Sequence, residues 1–173
     1  MKVLKTAIAF SVSEFKIINE GELDQKQIIV SFIKSAQDFK LADKYTNGIE
    51  WNYTDEKGIT KQLKMKNFGP YSRDLITTDD LRTINYEELL QRVITLVTDE
   101  IGDNYKDSEY NEYLVTIEKC LSQFIDIEYK NYQLTPPESK TALLSPFTLE
   151  FYLCFFCVNL KSKSLNIIQV DDY

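Results

Sequence analysis

Two cysteines separated by two residues, Cys154 and Cys157, form the pattern in this sequence that most resembles a chemical motif. A C-x-x-C pair can bind zinc or cycle between thiol and disulfide. A structural zinc site needs four ligands, however, and Cys120 is the one further cysteine in the chain. Because both thiols lie in its most apolar stretch, 147–158, we expect them to be buried structural cysteines. The sequence therefore predicts neither a metal site nor a cofactor.

Histidine is absent from the sequence. It is the usual general base near neutral pH, the usual partner of a serine or cysteine nucleophile, and the commonest metal ligand. Pairs of carboxylates such as Asp79-Asp80 and Asp99-Glu100 could act in its place, but helix starts and exposed loops ordinarily carry such acids, so we expect them to be solvated. We therefore predict no catalytic residue and no enzymatic activity. An enzyme that uses carboxylate or cysteine chemistry is the alternative.

One segment, 99–118, carries six of the seven net negative charges of the chain, because it holds seven acids against the single base Lys106. Tyrosines are interleaved with these acids, and aromatic side chains are favoured at protein interfaces. We therefore predict a partner-binding surface on five residues of this segment: Asp103, Asp107, Glu109, Tyr110 and Glu112. The alternative is a solvated acidic helix face whose tyrosines, Tyr105, Tyr110 and Tyr113, belong to the core.

The net charge of −7 disfavours nucleic acid and anionic membranes as direct partners and favours a basic protein. Together with the small size and the missing catalytic residues, it predicts a stoichiometric binding or inhibitor protein. The most concrete version is a bacterial immunity protein that neutralises a basic, nuclease-type toxin by presenting carboxylates to the groups that bind phosphate. A structural subunit of an oligomer is a further alternative, and the sequence does not indicate an oligomeric state.

Length and composition predict a single folded domain over residues 1–173, with 43% hydrophobic and 27% charged residues. The start of the chain imitates a secretory signal, but its apolar run is short and Glu14 and Lys16 follow, so we interpret it as a strand. The stretch 147–158 is shorter than the roughly 20 residues that a membrane helix needs. Three cysteines are an odd set, which argues against a disulfide framework. We therefore expect a cytoplasmic protein without a membrane span.

Strands are predicted at both ends and in the middle of the chain. Residues 3–18 are rich in β-branched and aromatic residues, and 49–53 and 59–65 flank a turn that contains Gly58, which indicates a hairpin. At the C-terminus, 147–158 alternates with period two and can pair with 165–170. A helix that begins at Ser145-Pro146 is the competing interpretation of 146–158.

Helical spacing of apolar residues appears three times, from Asp24 to a stop at Asn47-Gly48, from Tyr86 to Ile101, and from Tyr110 to Phe124. Asn85 followed by Glu88 resembles a capping box at the second start. Residues 125–134 remain open, because 125–129 alternate like a strand and could also continue the third helix. The predicted fold class is α+β, a mostly antiparallel sheet built from N-terminal, central and C-terminal strands and packed with about three helices.

Overall fold

A computed structural model describes residues 8–17, 24–35, 50–54, 60–64, 67–101, 107–126, 128–141 and 152–172. The chain forms two compact units. The first comprises Met1–Gln25, Leu81–Thr135 and Leu149–Tyr173, and the second comprises Lys26–Asp80 and Pro136–Thr148. Two compact units can belong to one domain, so the prediction of a single domain over 1–173 stays a prediction.

The first unit is built on a five-stranded antiparallel sheet. Its strands, in spatial order, are β1 (Ile8–Lys16), β9 (Ser164–Asp172), β8 (Tyr152–Asn159), β7 (Lys130–Leu134) and β6 (Leu81–Ile84). Every neighbouring pair runs antiparallel. The α+β class and the antiparallel sheet of N-terminal, central and C-terminal strands are therefore confirmed.

Strands β8 and β9 form a hairpin around the loop 160–163. The side-chain oxygen Oδ1 of Asn159 accepts hydrogen bonds from the backbone N–H groups of Lys161 and Ser162, each 3.0 Å long. Lys163 then takes the left-handed conformation, with φ of 53°, which turns the chain back into β9. The strand interpretation of the C-terminal stretch is thus confirmed for residues 152–158, and 146–151 lie outside the described residues.

Strand β8 is buried on both of its faces. Phe155 and Cys157 belong to the core cluster on the helix side of the sheet. Cys154, Phe156 and Val158 alternate with them, and all five side chains are 0% exposed. Because neither face of this strand meets solvent, neither face requires polar side chains, which explains why this stretch is almost continuously apolar.

Two helices pack on one face of this sheet: α2 (Tyr86–Ile101) and α3 (Asp107–Leu121), the latter extended by a 3-10 turn, Ser122–Phe124. Their buried stripes form one cluster with sheet residues such as Phe155 and Ile168; the stripes consist of Leu89, Val93, Val97, Ile117, Leu121 and Phe124. The predicted start of α2 is confirmed, because the backbone N–H of Glu88 donates to Oδ1 of Asn85 at 2.8 Å.

The open stretch 125–134 contains a turn and then a strand. The backbone N–H of Tyr129 donates to the carbonyl of Asp126 at 2.9 Å, and β7 begins one residue later. The third helix therefore does not continue through this stretch. The strand also begins after the alternating residues 125–129 rather than with them, since Ile125 is 59% exposed and Asp126 closes the turn.

The second unit contains helix α1 (Gln25–Ser35), of which Ile29 and Ile33 are fully buried. It also contains the predicted hairpin, whose strands β2 (Glu50–Thr54) and β3 (Thr60–Lys64) pair antiparallel. The hairpin is confirmed in its strands, whereas its turn, 55–59, lies outside the described residues. The predicted continuation of α1 towards Asn47 also lies outside them.

The other described residues of the second unit, 67–80 and 136–141, form short elements. Strands β4 (Asn67–Phe68) and β5 (Tyr71–Ser72) are joined through Gly69, whose φ of 55° suits the first central position of a type II′ turn, and Pro70. Three 3-10 turns follow, Arg73–Leu75, Thr78–Asp80 and Glu138–Lys140. Among the described residues of both units, no helix is long and apolar enough to cross a membrane.

The geometry of β8 places the two cysteines of the C-x-x-C pair on opposite faces of the strand. Residues three apart on a strand point to opposite faces, and their Cα atoms are about 10 Å apart, too far for a disulfide. Both thiols are fully buried, and burial raises the pKa of Cys157 above its ordinary value. The interpretation of Cys154 and Cys157 as buried structural cysteines is confirmed.

This placement predicts how the thiols react. In the native protein a thiol reagent is expected to modify the partly exposed Cys120 first, and to reach Cys154 and Cys157 after denaturation. Absorbance of the released chromophore measures both phases. The variant Cys120→Ser should lose the fast phase while keeping the slow one. Rapid native labelling of two or more thiols contradicts the burial described above.

Candidate partner-binding surface

The five predicted partner-binding residues are described to different extents. Asp103 lies outside the described residues. Asp107, Glu109 and Tyr110 lie in helix α3, but their side chains are not among the described ones. Glu112 is an exposed side chain of α3. Partner binding by these residues stays a prediction, and Glu112 is the one among them whose side chain the structure describes.

Helix α3 turns one side to the core and the other to solvent. Ile117 and Leu121 are buried, whereas Val115 is 62% exposed. Glu112 precedes Val115 by three residues and Glu118 follows it by three, so the two acids flank it on the helix surface. Both are exposed. The solvent side of α3 therefore presents an aliphatic side chain between two carboxylates.

A third acid joins this side from helix α2. Burial raises the pKa of Tyr86, and the negative charges of Glu118 and Glu87 raise it further. The two carboxylates therefore lie around the same phenol although they belong to different helices. We call Glu87, Glu112, Glu118 and Val115 the acidic surface.

The three carboxylates of the acidic surface form no ion pair within the described part of the chain. Their neighbour Glu88 differs, because it forms salt bridges to Arg82 and to Arg92. The hydrogen bond from Arg82 is the main cause that lowers the pKa of Glu88, and Arg92 adds to it. Glu88 is thus paired within the protein, whereas the carboxylates of the acidic surface can interact with solvent or with a partner.

Tyr113 belongs to the core and not to the surface. It packs against the helix–sheet cluster, and its buried hydroxyl has no hydrogen-bond partner among the described residues. This desolvation raises its pKa to about 12. For Tyr113, therefore, the alternative of a core tyrosine is correct, while Tyr105 and the side chain of Tyr110 lie outside the described residues.

The expectation that Asp79-Asp80 is a solvated pair is wrong for Asp80, which is 4% exposed. Lys140 Nζ lies 2.6 and 2.9 Å from its two carboxylate oxygens, and the backbone N–H of Thr77 donates to it at 2.7 Å. Burial raises the pKa of Asp80, but these hydrogen bonds outweigh it and hold the pKa below its ordinary value. Sequence reasoning missed this site because Lys140 is 60 residues away.

A carboxylate whose oxygens are already bonded to an ammonium group and a backbone amide is not available as a general base. Asp80 and Lys140 therefore hold together the turns Thr78–Asp80 and Glu138–Lys140. Within the described residues, no three Cys, Asp or Glu side chains are grouped in a way that could hold a metal ion.

Comparison with known proteins gives a likeness of fold. No protein-family model matches the chain, and no curated protein matches it in sequence. Two crystal structures of citrus MAF1, in different crystal forms, each cover 95% of this chain at 12% identity. One has a TM-score of 0.50 over 85% of its own chain, and the other 0.48 over 86%. The fold likeness rests on the first of these two values.

The buried hydroxyl of Tyr113 leads to a stability prediction. Tyr113→Phe is expected to raise the free energy of unfolding by about 1 kcal/mol, because it removes a desolvated group that has no hydrogen bond. Urea denaturation followed by circular dichroism measures the change. The matched control is Tyr129→Phe, which removes a hydroxyl 3.4 Å from Ser164 Oγ and should not stabilise the protein. Equal stabilisation of both variants contradicts the assignment.

The Asp80–Lys140 pair leads to a pH prediction. Asp80→Asn is expected to lower the free energy of unfolding by about 2 kcal/mol at pH 7, because Lys140 loses its buried counter-charge. The folded pKa of Asp80 lies below the unfolded value of about 3.9, so its contribution is present above that pH and disappears as the pH falls through the folded pKa.

Urea denaturation at pH 7 and at pH 3 tests this dependence. The difference between wild type and Asp80→Asn should shrink at the lower pH. The neighbouring exposed acid provides the matched control, since Asp79→Asn should leave stability unchanged at both values. A difference that stays constant with pH rules out an ionised Asp80 as its source.

Proposed function

We propose that this protein is a stoichiometric binding protein that neutralises a basic protein partner. The contact is made by the acidic surface together with the other acidic residues of the segment 99–118, which we call the acidic segment. The observation that carries the proposal is the set of three exposed carboxylates, Glu87, Glu112 and Glu118, without ion pairs in the described part of the chain. Exposed like charges repel one another, so their clustering is unfavourable for the isolated protein and favourable for a complex with a cationic surface.

The composition of the acidic surface suits such a complex. Carboxylates at the rim of an interface steer association and determine its dependence on salt. Val115 lies between them and offers apolar area that a partner can bury, 62% of the side chain being exposed. The predicted residues Asp103, Asp107, Glu109 and Tyr110 extend the same segment towards its N-terminal side.

The most concrete version is a bacterial immunity protein directed against a nuclease toxin. A nuclease presents cationic side chains to the phosphates of its substrate, and a cluster of carboxylates can occupy those side chains in place of the phosphates. One equivalent of the inhibitor would then abolish nuclease activity. The absence of histidine from the chain agrees with an inhibitor that performs no chemistry of its own.

The experiment starts from a partner obtained by affinity capture at low ionic strength, identified by mass and purified. Stopped-flow association of wild type is compared with the triple variant Glu87→Gln/Glu112→Gln/Glu118→Gln. The variant should associate roughly tenfold more slowly at low salt and show a flatter salt dependence. A captured nuclease should also lose its activity at one equivalent of wild-type protein.

A second triple variant removes the same number of charges from exposed acids elsewhere, at Glu14, Asp79 and Glu138. It should associate almost as fast as wild type, because the location of the charges matters more than their sum. Equal slowing by both triple variants shows that net charge alone governs association, and it contradicts the proposed surface. A complex that survives high salt with unchanged kinetics in every variant contradicts the proposal as a whole.

The acidic segment is tested separately. Replacing Asp103, Asp107, Glu109 and Glu112 by their amides should slow association in the same way, whereas Tyr110→Ala should speed dissociation, since a buried aromatic anchor costs about 2 kcal/mol or more on truncation. Tyr113→Phe is the control, because Tyr113 packs in the core and should leave both rates unchanged. Unchanged dissociation of Tyr110→Ala excludes Tyr110 as an anchor.

A further inference from the structure

The five-stranded sheet ends in two edge strands that differ in their protection. β6 has four residues, and its exposed Arg82 is bonded to Glu88. β1 has nine residues and, in the described part of the chain, pairs with β9 alone. Short strands and charged side chains are common ways to prevent a sheet edge from pairing with another chain. β1 is therefore the edge that can accept a further strand.

Most of β1 carries no such protection. Its pairing with β9 runs without interruption from Ile8 to Lys16, so no bulge turns the edge away, and the strand contains no proline. Its charged residues, Glu14 and Lys16, lie at its C-terminal end, and both are exposed. Residues 8–13 thus form a regular edge without a charged side chain.

The backbone of β1 offers hydrogen-bonding groups along this edge. The N–H of Ile17 donates to the carbonyl of Lys163 at 2.8 Å, one position beyond the last pair of the two strands. Antiparallel strands bond at alternate residues, so the odd-numbered residues of β1 bond to β9. The N–H and C=O groups of Phe10, Val12 and Glu14 therefore point away from β9. Within the described residues, no backbone group of another strand is bonded to them.

Side chains along the edge alternate between the two faces of the sheet. Phe10 and Val12 pack against the helix–sheet cluster and are only half-buried. Ser11 and Ser13 are half-buried on the opposite face. A strand added to this edge would therefore cover apolar side chains on one face and hydroxyl groups on the other.

We propose that β1 pairs antiparallel with β1 of a second copy of this chain, about a two-fold axis at Ser11. In this register Phe10 of each copy lies opposite Val12 of the other, and aromatic and β-branched side chains form favourable cross-strand pairs. The two Ser11 hydroxyls lie opposite each other on the other face. About eight backbone hydrogen bonds, two for each pair of outward-facing residues, then cross the axis.

The sequence of β1 favours a second copy as the occupant, because it is self-complementary about Ser11. Phe10 and Val12 flank that residue on one face, so an antiparallel copy brings the two kinds of side chain together. Moving the axis by one to three residues towards the C-terminal end places Glu14 opposite Phe10, opposite Val12 or opposite itself. With the axis at Ser11, the two Glu14 residues lie about 20 Å apart along the sheet. The charge of Glu14 thus disfavours these neighbouring registers.

A cysteine at the axis tests the register. Ser11→Cys, in the background Cys120→Ser, should form an intermolecular disulfide on mild oxidation, because residues opposite each other at a non-hydrogen-bonded position have Cα atoms about 4.5 Å apart. The matched control is Ser13→Cys in the same background and on the same face, where the two Cα atoms would be about 14 Å apart. Non-reducing electrophoresis measures the dimer fraction, which should be roughly tenfold greater for Ser11→Cys.

Sedimentation equilibrium of the full chain measures the association without cross-linking. The weight-average mass should rise above the 20.2 kDa of one chain as the concentration increases from about 1 µM to about 0.5 mM, a range that suits a small interface. Salt at about 0.15 M screens the repulsion between two copies of net charge −7.

A lysine on each edge strand identifies the edge that makes the contact. Ser11→Lys places two ammonium groups opposite each other and should raise the Kd of the dimer roughly tenfold or more. Thr83→Lys, which adds a lysine to the exposed edge of β6, is the control and should leave the Kd unchanged. Circular dichroism checks that each variant is folded. If Ser11→Lys does not fold, the two cysteine variants decide.

The proposal is wrong if wild type sediments as a monomer over the whole concentration range, or if Ser13→Cys cross-links as readily as Ser11→Cys. It is also wrong if Thr83→Lys weakens the dimer and Ser11→Lys does not, since β6 is then the contact edge. Because these measurements need no other protein, their outcome does not depend on the binding function proposed above.

Discussion

The pairing of β8 with β9 is the interaction on which the first unit depends. β9 lies between β8 and β1, and β8 lies between β9 and β7, so these two strands join the N-terminal strand to the central ones. The side chain of Asn159 stabilises the hairpin loop by accepting two backbone hydrogen bonds. The register of the two strands places Phe155 and Ile168 opposite each other beneath the helices. A slip of one residue would turn each of these side chains to the other face. The helix positions follow from this register because α2 and α3 pack on those residues.

Burial on both faces of β8 also decides what its cysteines can do. In a half-exposed strand one of two residues three apart would reach solvent, and its thiol could react. In β8 neither does, since Cys154 and Cys157 leave opposite faces into packed surroundings. A sequence motif that in another setting binds zinc or cycles between redox states is here a pair of packing residues.

Ion pairing within the protein decides which charges remain available. Glu87 and Glu88 are adjacent in sequence, yet Glu88 is held by Arg82 and Arg92, while Glu87 forms no ion pair in the described part of the chain. Asp79 and Asp80 are also adjacent, yet one is exposed and the other is buried against Lys140. Carboxylates that a sequence cannot distinguish thus differ in whether they can meet a partner.

The sequence by itself determined the type of those elements whose local signals are clear, whereas it left 125–134 open between helix and strand and did not indicate β6. Helical periodicity identified α2 with its Asn85 cap, alternation identified β8 and β9, and turn residues marked the hairpin of β2 and β3, because these signals are local and depend on backbone geometry. The tertiary structure decided where the strand after α3 begins, which tyrosine is core, and which acids and arginines are buried. Those outcomes depend on contacts between residues far apart in sequence, such as Asp80 with Lys140, and neither the pattern nor the composition of a segment records them.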